Sequence, residues 1–204
     1  MLRGLYAITD SQLTPLSNIE QKVASALQGG AQLIQYRDKL SSAEQKKITA
    51  LKLLALCQQY HGRLIINDDL ELAHAINAHG VHLGQEDAPL AQARELLGTQ
   101  AIIGATCHNS LALAQQAVAD GASYVAFGRF YSSKTKPGAP SCSLALLKEA
   151  RQSLEVPIAA IGGITLSNAP ALIAAGADLI AVVNDVFAAK NITQQSLALT
   201  KLFY

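Results

Sequence analysis

Residues 19–37 read IEQKVASALQGGAQLIQYR. Ile19, Val23, Ala26 and Leu27 recur at helical spacing, so the first half predicts an amphipathic helix. Gly29-Gly30-Ala31 ends it, because glycine takes the left-handed C-terminal conformation at little steric cost. Leu33–Arg37 then predicts a short strand whose exit is polar. The same unit recurs as LALAQQAVADGASYVAFG at 111–128 and as APALIAAGADLIAVV at 169–183, with Gly121-Ala122 and Gly176-Ala177 at the turns.

Working outward, the predicted strands are Gly4–Thr9, Leu33–Arg37, Leu64–Asn67, Gly80–Leu83, Ala101–Thr106, Tyr124–Gly128, Ile158–Ile161 and Leu179–Val183. They are continuous apolar runs, which suits strands buried on both faces. Predicted helices cover Ile19–Leu27, Ala43–Tyr60, Leu70–Ile76, Leu90–Leu97, Leu111–Ala119, Leu144–Ser153, Asn168–Ala174 and Gln194–Leu202. Strands alternating with helices imply parallel strands and right-handed crossovers. The fold expected is a closed (β/α)8 TIM barrel in one catalytic domain over 1–204. A doubly wound open sheet is the runner-up. Against it, no glycine-rich dinucleotide loop follows the first strand.

Composition agrees with one packed domain. The chain has 204 residues, is 50% hydrophobic and 15% charged, and carries a formal net charge of +1. That balance excludes a disordered chain and a strongly basic nucleic-acid scaffold. Cys57, Cys107 and Cys142 have neither redox nor zinc spacing, so reduced thiols and a cytoplasmic location are expected. No apolar run reaches the ~18 residues of a membrane helix. The opening MLRGLYAITD meets Asp10 too early for a secretory signal.

In such a barrel the site lies at the C-terminal ends of the strands. Gln35, Arg37 and Lys39 share a spacing of two, so an extended chain turns them to one side and offers an anion site. The alternative is a solvated strand exit. Asn67-Asp68-Asp69 ends the third strand, and Asp87 follows the fourth. Carboxylates from adjacent exits suit Mg2+, which takes one or two of them plus substrate oxygens and water. One of the aspartates also caps the next helix, Asp69 by position.

The sixth exit, Arg129 to about Ser143, is rich in hydroxyls and cations and reads as a lid or as a solvated basic loop. Gly162-Gly163 after the seventh strand leaves backbone N–H groups open to an anion, where barrels often hold phosphate, and Val183-Asn184-Asp185 completes that side. Cys107 and His108 are adjacent on a strand and point apart, which argues against a nucleophile pair. His82 reads as a hydrogen-bonded core histidine; His61, His74 and His79 read as surface residues. Two anion sites at one mouth, one with Mg2+ ligands, suggest two phosphorylated substrates, one a diphosphate leaving group. No general base stands out.

Taken in order, GLYAITD, GGAQLIQYRDK, LIINDD, GVHLGQED, IIGATCH, the Thr-Lys loop and AAIGGI resemble thiamine phosphate synthase over almost the whole chain. The resemblance implies a TIM-barrel transferase that joins hydroxymethylpyrimidine diphosphate to thiazole phosphate by a dissociative route. It implies that Gln35, Tyr36, Arg37, Asp38, Lys39 and Asn67 hold the pyrimidine diphosphate, with Thr106 and Lys136. It implies Mg2+ on Asp68 and Asp87. It implies that Ser133, Lys134 and Thr135 approach the thiazole phosphate, with Gly163, Val183 and Asn184. Arg37, Lys39 and Lys136 are the expected catalytic cations. Four positions depart from the family pattern: Thr106 stands for Ser, Arg129 for Pro, Ser133 for Thr with Lys134 adding a charge, and Asn184 for Ser. None removes a charge the chemistry needs. The rival readings are a thiazole tautomerase relative and a non-catalytic thiamine phosphate binding module. Partners expected are small molecules, with no nucleic acid and no membrane; a homo-oligomer is left open.

Overall fold

The computed structural model describes residues 2–132 and 141–204. The eight strands are β1 (Gly4–Ile8), β2 (Leu33–Tyr36), β3 (Arg63–Asn67), β4 (Gly80–Leu83), β5 (Ile102–His108), β6 (Tyr124–Gly128), β7 (Ile158–Ile161) and β8 (Leu179–Val182). All pair in parallel, in sequence order. β1 also pairs with β8, Gly4 opposite Leu179 and Ala7 opposite Val182, so the sheet closes into a (β/α)8 barrel. That closure rules out the open-sheet alternative.

The helices are α1 (Ile19–Gln28), α2 (Ala43–Gln59), α3 (Leu70–Ala75), α4 (Leu90–Leu97), α5 (Leu111–Ala119), α6 (Leu144–Ser153), α7 (Ala169–Ala174), α8 (Asn184–Phe187) and α9 (Ile192–Thr200). α8 was not expected from the sequence: four residues are too short to show a period. Ser42, Asp69, Ser110, Ser143 and Asn191 each cap the following helix, accepting a backbone N–H into the first turn.

The glycine turns share one construction. Gly30, Gly121 and Gly176 have φ of +90°, +93° and +110°. After each, the alanine N–H returns five residues into the helix, to Ala26, Ala117 and Leu172, while the glycine N–H reaches Leu27, Val118 and Ile173. This is the Schellman ending, which closes orphan carbonyls as the chain turns into the next strand. His61 (φ +58°) and Asn77 (φ +50°) occupy the same position after α2 and α3 with the same bonding. Residue type did not mark them as turns.

Strand residues alternate between two layers. Leu5, Ile34, Leu64, Val81, Ile103, Val125 and Ile180 face the helices in the larger core. Tyr6, Leu33, Ile65, Tyr124, Ala159 and Leu179 pack inside the barrel. Each such fully buried aliphatic chain contributes about 1.5–3 kcal/mol of transfer free energy. Among the described residues, no helix is long and apolar enough to cross a membrane.

Candidate active site at the barrel mouth

Toward the strand C-termini the inner layer stops being filled. Ala126, Ala159 and Ala181, on three consecutive strands, leave space where larger side chains would close the barrel, and a cavity of about 670 Å³ opens above them. Its walls follow the period of two: Gln35 two residues beyond Leu33, Thr106 two beyond Gly104 and Ala181 two beyond Leu179.

Ten of the expected site residues line this one mouth: Gln35, Arg37, Lys39, Asn67, Asp68, Asp87, Thr106, Gly163, Val183 and Asn184. Two do not. Tyr36 is 3% exposed and sits in the helix-facing core, because its neighbour Gln35 takes the inward direction. Asp38 folds back on its own turn, accepting from the Leu40 and Ser41 N–H groups and from the Tyr36 hydroxyl. Burial opposes ionisation there, yet the bonds from Ser41, Leu40 and Tyr36 hold its carboxyl below the ordinary range. Of the 35–39 segment expected to hold a ligand, Gln35, Arg37 and Lys39 line the mouth and Tyr36 and Asp38 do not. Ser133, Lys134, Thr135 and Lys136 lie outside the described residues.

The acidic exits are held separately. Asp69 caps α3 through the Leu72 N–H at 2.9 Å. Asp68, at φ +63°, is turned the other way, and Lys39 Nζ lies 3.0 Å from its Oδ2. The Gly84 N–H donates to Asp87 Oδ2 at 2.7 Å. The carboxyls of Asp68 and Asp87 lie close enough for each to act on the other's ionisation. Burial pushes Asp87 up, and the carboxylate of Asp68 adds to this. Burial also works on Asp68, but the bonds from Lys39 and Asp87 outweigh it and hold Asp68 below the usual carboxylate range. Two carboxyls brought to one mouth from adjacent strand exits form a donor set that a hard divalent cation fits. Among the described residues no cluster of three or more His, Cys, Asp or Glu side chains that could hold a metal occurs.

Loop contacts brace the rest. Thr9, 1% exposed, accepts from the Arg37 N–H at 2.9 Å and so fixes the cationic exit from the neighbouring strand. Across the mouth, Gly162 and Gly163 have φ of +103° and +62°. A side chain at Gly163 would meet Ser132 O at 2.3 Å, so that glycine also lets the β6 exit approach. Asn168 ties the loop, donating to Gly163 O and accepting from the Thr165 N–H. Asp185 accepts from the Leu166 N–H. Cys107 is buried with its thiol pushed up to about 12, while His108 lines the mouth, so the pair does point apart.

One feature escaped the sequence. Gln35 Nε2 donates to the Tyr6 hydroxyl at 2.6 Å, and Tyr6 and Tyr124 share a 2.8 Å bond. The Tyr124 hydroxyl lies 2.8 Å from His82 Nδ1, and His82 Nε2 lies 2.9 Å from Thr106 Oγ1. Polar tips on Tyr6 and Tyr124 in otherwise apolar strands were the available signal.

Residues 5–186 match the family described as thiamine monophosphate synthase, TMP-TENI. A thiamine phosphate pyrophosphorylase from Pyrococcus furiosus is similar at 33% identity and a TM-score of 0.89, covering 98% of this chain and 95% of that one. One from Bacteroides thetaiotaomicron, at 19% identity and a TM-score of 0.69, covers 98% of this chain and 96% of its own and shares the fold. A 3-hexulose-6-phosphate synthase shares the fold at 15% identity and a TM-score of 0.69, over 98% of this chain and all of its own.

Proposed function

The chain belongs to the thiamine monophosphate synthase family, a family of transferases, and on that premise we propose that it joins 4-amino-2-methyl-5-hydroxymethylpyrimidine diphosphate to a thiazole phosphate, releasing diphosphate. The observation that carries this reading is the paired carboxyls of Asp68 and Asp87 beside Arg37 and Lys39, facing the Gly162-Gly163 loop across one cavity. That arrangement accommodates a diphosphate on one side and a monophosphate on the other.

Gln35 and Asn67 would hold the pyrimidine. Arg37 and Lys39 would grip the diphosphate, and their charge lowers the cost of its departure. Asp68 and Asp87 would hold Mg2+, which when bound supplies further charge neutralisation on the leaving diphosphate. The open Gly163 backbone, with Val183 and Asn184, would seat the thiazole phosphate. Ser133, Lys134, Thr135 and Lys136 are assigned to the same two anions from sequence alone, Lys136 as a third catalytic cation. The walls and floor of the cavity keep the two rings in contact while the bond between them forms; the thiazole nitrogen supplies the electron pair and no protein base is needed.

A thiazole tautomerase would need neither the acidic pair nor the cationic exit. The test is to incubate purified protein with both substrates and Mg2+ and to follow thiamine phosphate. Its appearance in proportion to enzyme is expected. A thiazole tautomerised without condensation would overturn the proposal.

A further inference from the structure

We propose that Tyr6, Tyr124 and His82 are positioning residues that set the hydrogen-bond polarity of the mouth, making Gln35 present an acceptor and Thr106 a donor to the diphosphate substrate. This rests on the function proposed above and concerns the same site.

The argument follows single protons. A phenol hydroxyl has one proton to give, and a neutral imidazole donates through one nitrogen and accepts through the other. Gln35 turns its Nε2 to Tyr6, which leaves its Oε1 for the cavity. Tyr6, having accepted from Gln35, gives its proton to Tyr124, and Tyr124 gives its own to His82 Nδ1. An imidazole that accepts at Nδ1 carries its proton on Nε2, which donates to Thr106 Oγ1. Thr106 then has its hydroxyl proton left for the cavity it lines.

Were Tyr124 to donate to Tyr6 instead, Tyr6 would accept twice, and its own hydroxyl proton would have no protein acceptor among the described residues. His82 would then donate from Nδ1, and Thr106 would show the cavity a lone pair. Tyr6 and Tyr124 are at most 1% exposed, so a phenol proton without a partner there is costly. Burial raises both phenols far above their ordinary range, so each keeps its proton.

The strands are built around this chain. A side chain at Gly104 would meet the Tyr124 hydroxyl at 2.3 Å and His82 Nδ1 at 2.5 Å. The Tyr124 ring also stacks on His82, with centroids 5.6 Å apart, and meets Tyr6 edge-on at 5.9 Å. The ligand this polarity selects carries a donor near β2 and an acceptor near β5. An exocyclic amine on the pyrimidine supplies the first, and a phosphate oxygen or ring nitrogen the second. A 4-oxo pyrimidine would set its acceptor against Gln35 Oε1.

The experiment compares 4-amino and 4-oxo pyrimidine diphosphates in the wild type and in Tyr124→Phe, with Tyr6→Phe as the second variant. The wild type is expected to favour the amino substrate. Each variant is expected to shrink that preference in kcat/KM at least about tenfold, raising KM for the amino substrate and leaving KM for thiazole phosphate unchanged. A parallel loss for both pyrimidines would mean a merely structural role and would overturn the proposal. 15N spectroscopy of histidine-labelled protein without substrate tests the chain even if the function reading fails or the variants do not fold. His82 is expected bare at Nδ1 and protonated at Nε2 near neutral pH; the other tautomer, or a doubly protonated ring, would overturn it. Failure of the wild type to make thiamine phosphate would count against the function reading alone.

Discussion

Gly104→Ala places a methyl group at the centre of the barrel's polar chain. An ideal Cβ there lies 2.1 Å from Tyr124 Cζ, and restoring an ordinary 3.4 Å contact moves the ring by about 1.3 Å. Tyr124 is fully buried and held by 2.8 Å bonds to Tyr6 and to His82. A displacement of that size carries at least one bond past about 3.6 Å, where it is lost. Overpacking costs about 1–3 kcal/mol, and a buried polar group left unpaired costs about 1–3 kcal/mol more. The expected loss is about 2–6 kcal/mol, or roughly 4–24 °C in Tm for a chain of this size. Thermal unfolding followed by far-ultraviolet circular dichroism measures it, and product formation reports the site. A fall of less than about 1 kcal/mol, with turnover within about twofold of wild type, would refute the reasoning.

Asp87→Ala is expected to lose divalent-dependent turnover while keeping its circular dichroism spectrum, and chelation should silence the wild type; unchanged turnover and metal response would remove Asp87 from the metal site. His79 Nδ1 accepts the Leu64 N–H, and burial, followed by the nearby charge of Arg63, holds its pKa below the ordinary 6.5. Its contribution to stability is therefore present above that ordinary value and lost as pH falls from there through the depressed folded value. Wild type should lose more stability than His79→Asn between about pH 7.5 and pH 5, since the Asn amide still accepts but does not titrate; equal losses would show that His79 is not the titrating group. His61→Gly removes a side chain from a left-handed position and should raise stability by about 0.5 kcal/mol, net of the entropy glycine adds to the unfolded chain. A fall in Tm would show that the His61 side chain contributes more than its backbone strain costs.

The sequence by itself determined the units of this protein. Glycine at 30, 121 and 176, apolar runs of strand length and the Asp69 cap are local signals. Each acts through steric freedom or a hydrogen bond a few residues away, so they were legible without the fold. Charges at the strand exits, Arg37, Lys39, Asp68 and Asp87, were legible because an apolar strand has no other use for them. The left-handed turns at His61 and Asn77 were less legible than those at glycine, since His and Asn take that conformation less often than glycine does. Nor was it legible that Gln35 faces the cavity and Tyr36 the helices as a settled pair, because a period of two gives two parities and only barrel closure selects one. The closing pairs of β1 with β8 join opposite ends of the chain. The same closure brings Tyr6 to Tyr124. Hydrogen bonds have ångström tolerances in direction and length, so partners this far apart in sequence are decided only once the strands are tilted, paired and closed.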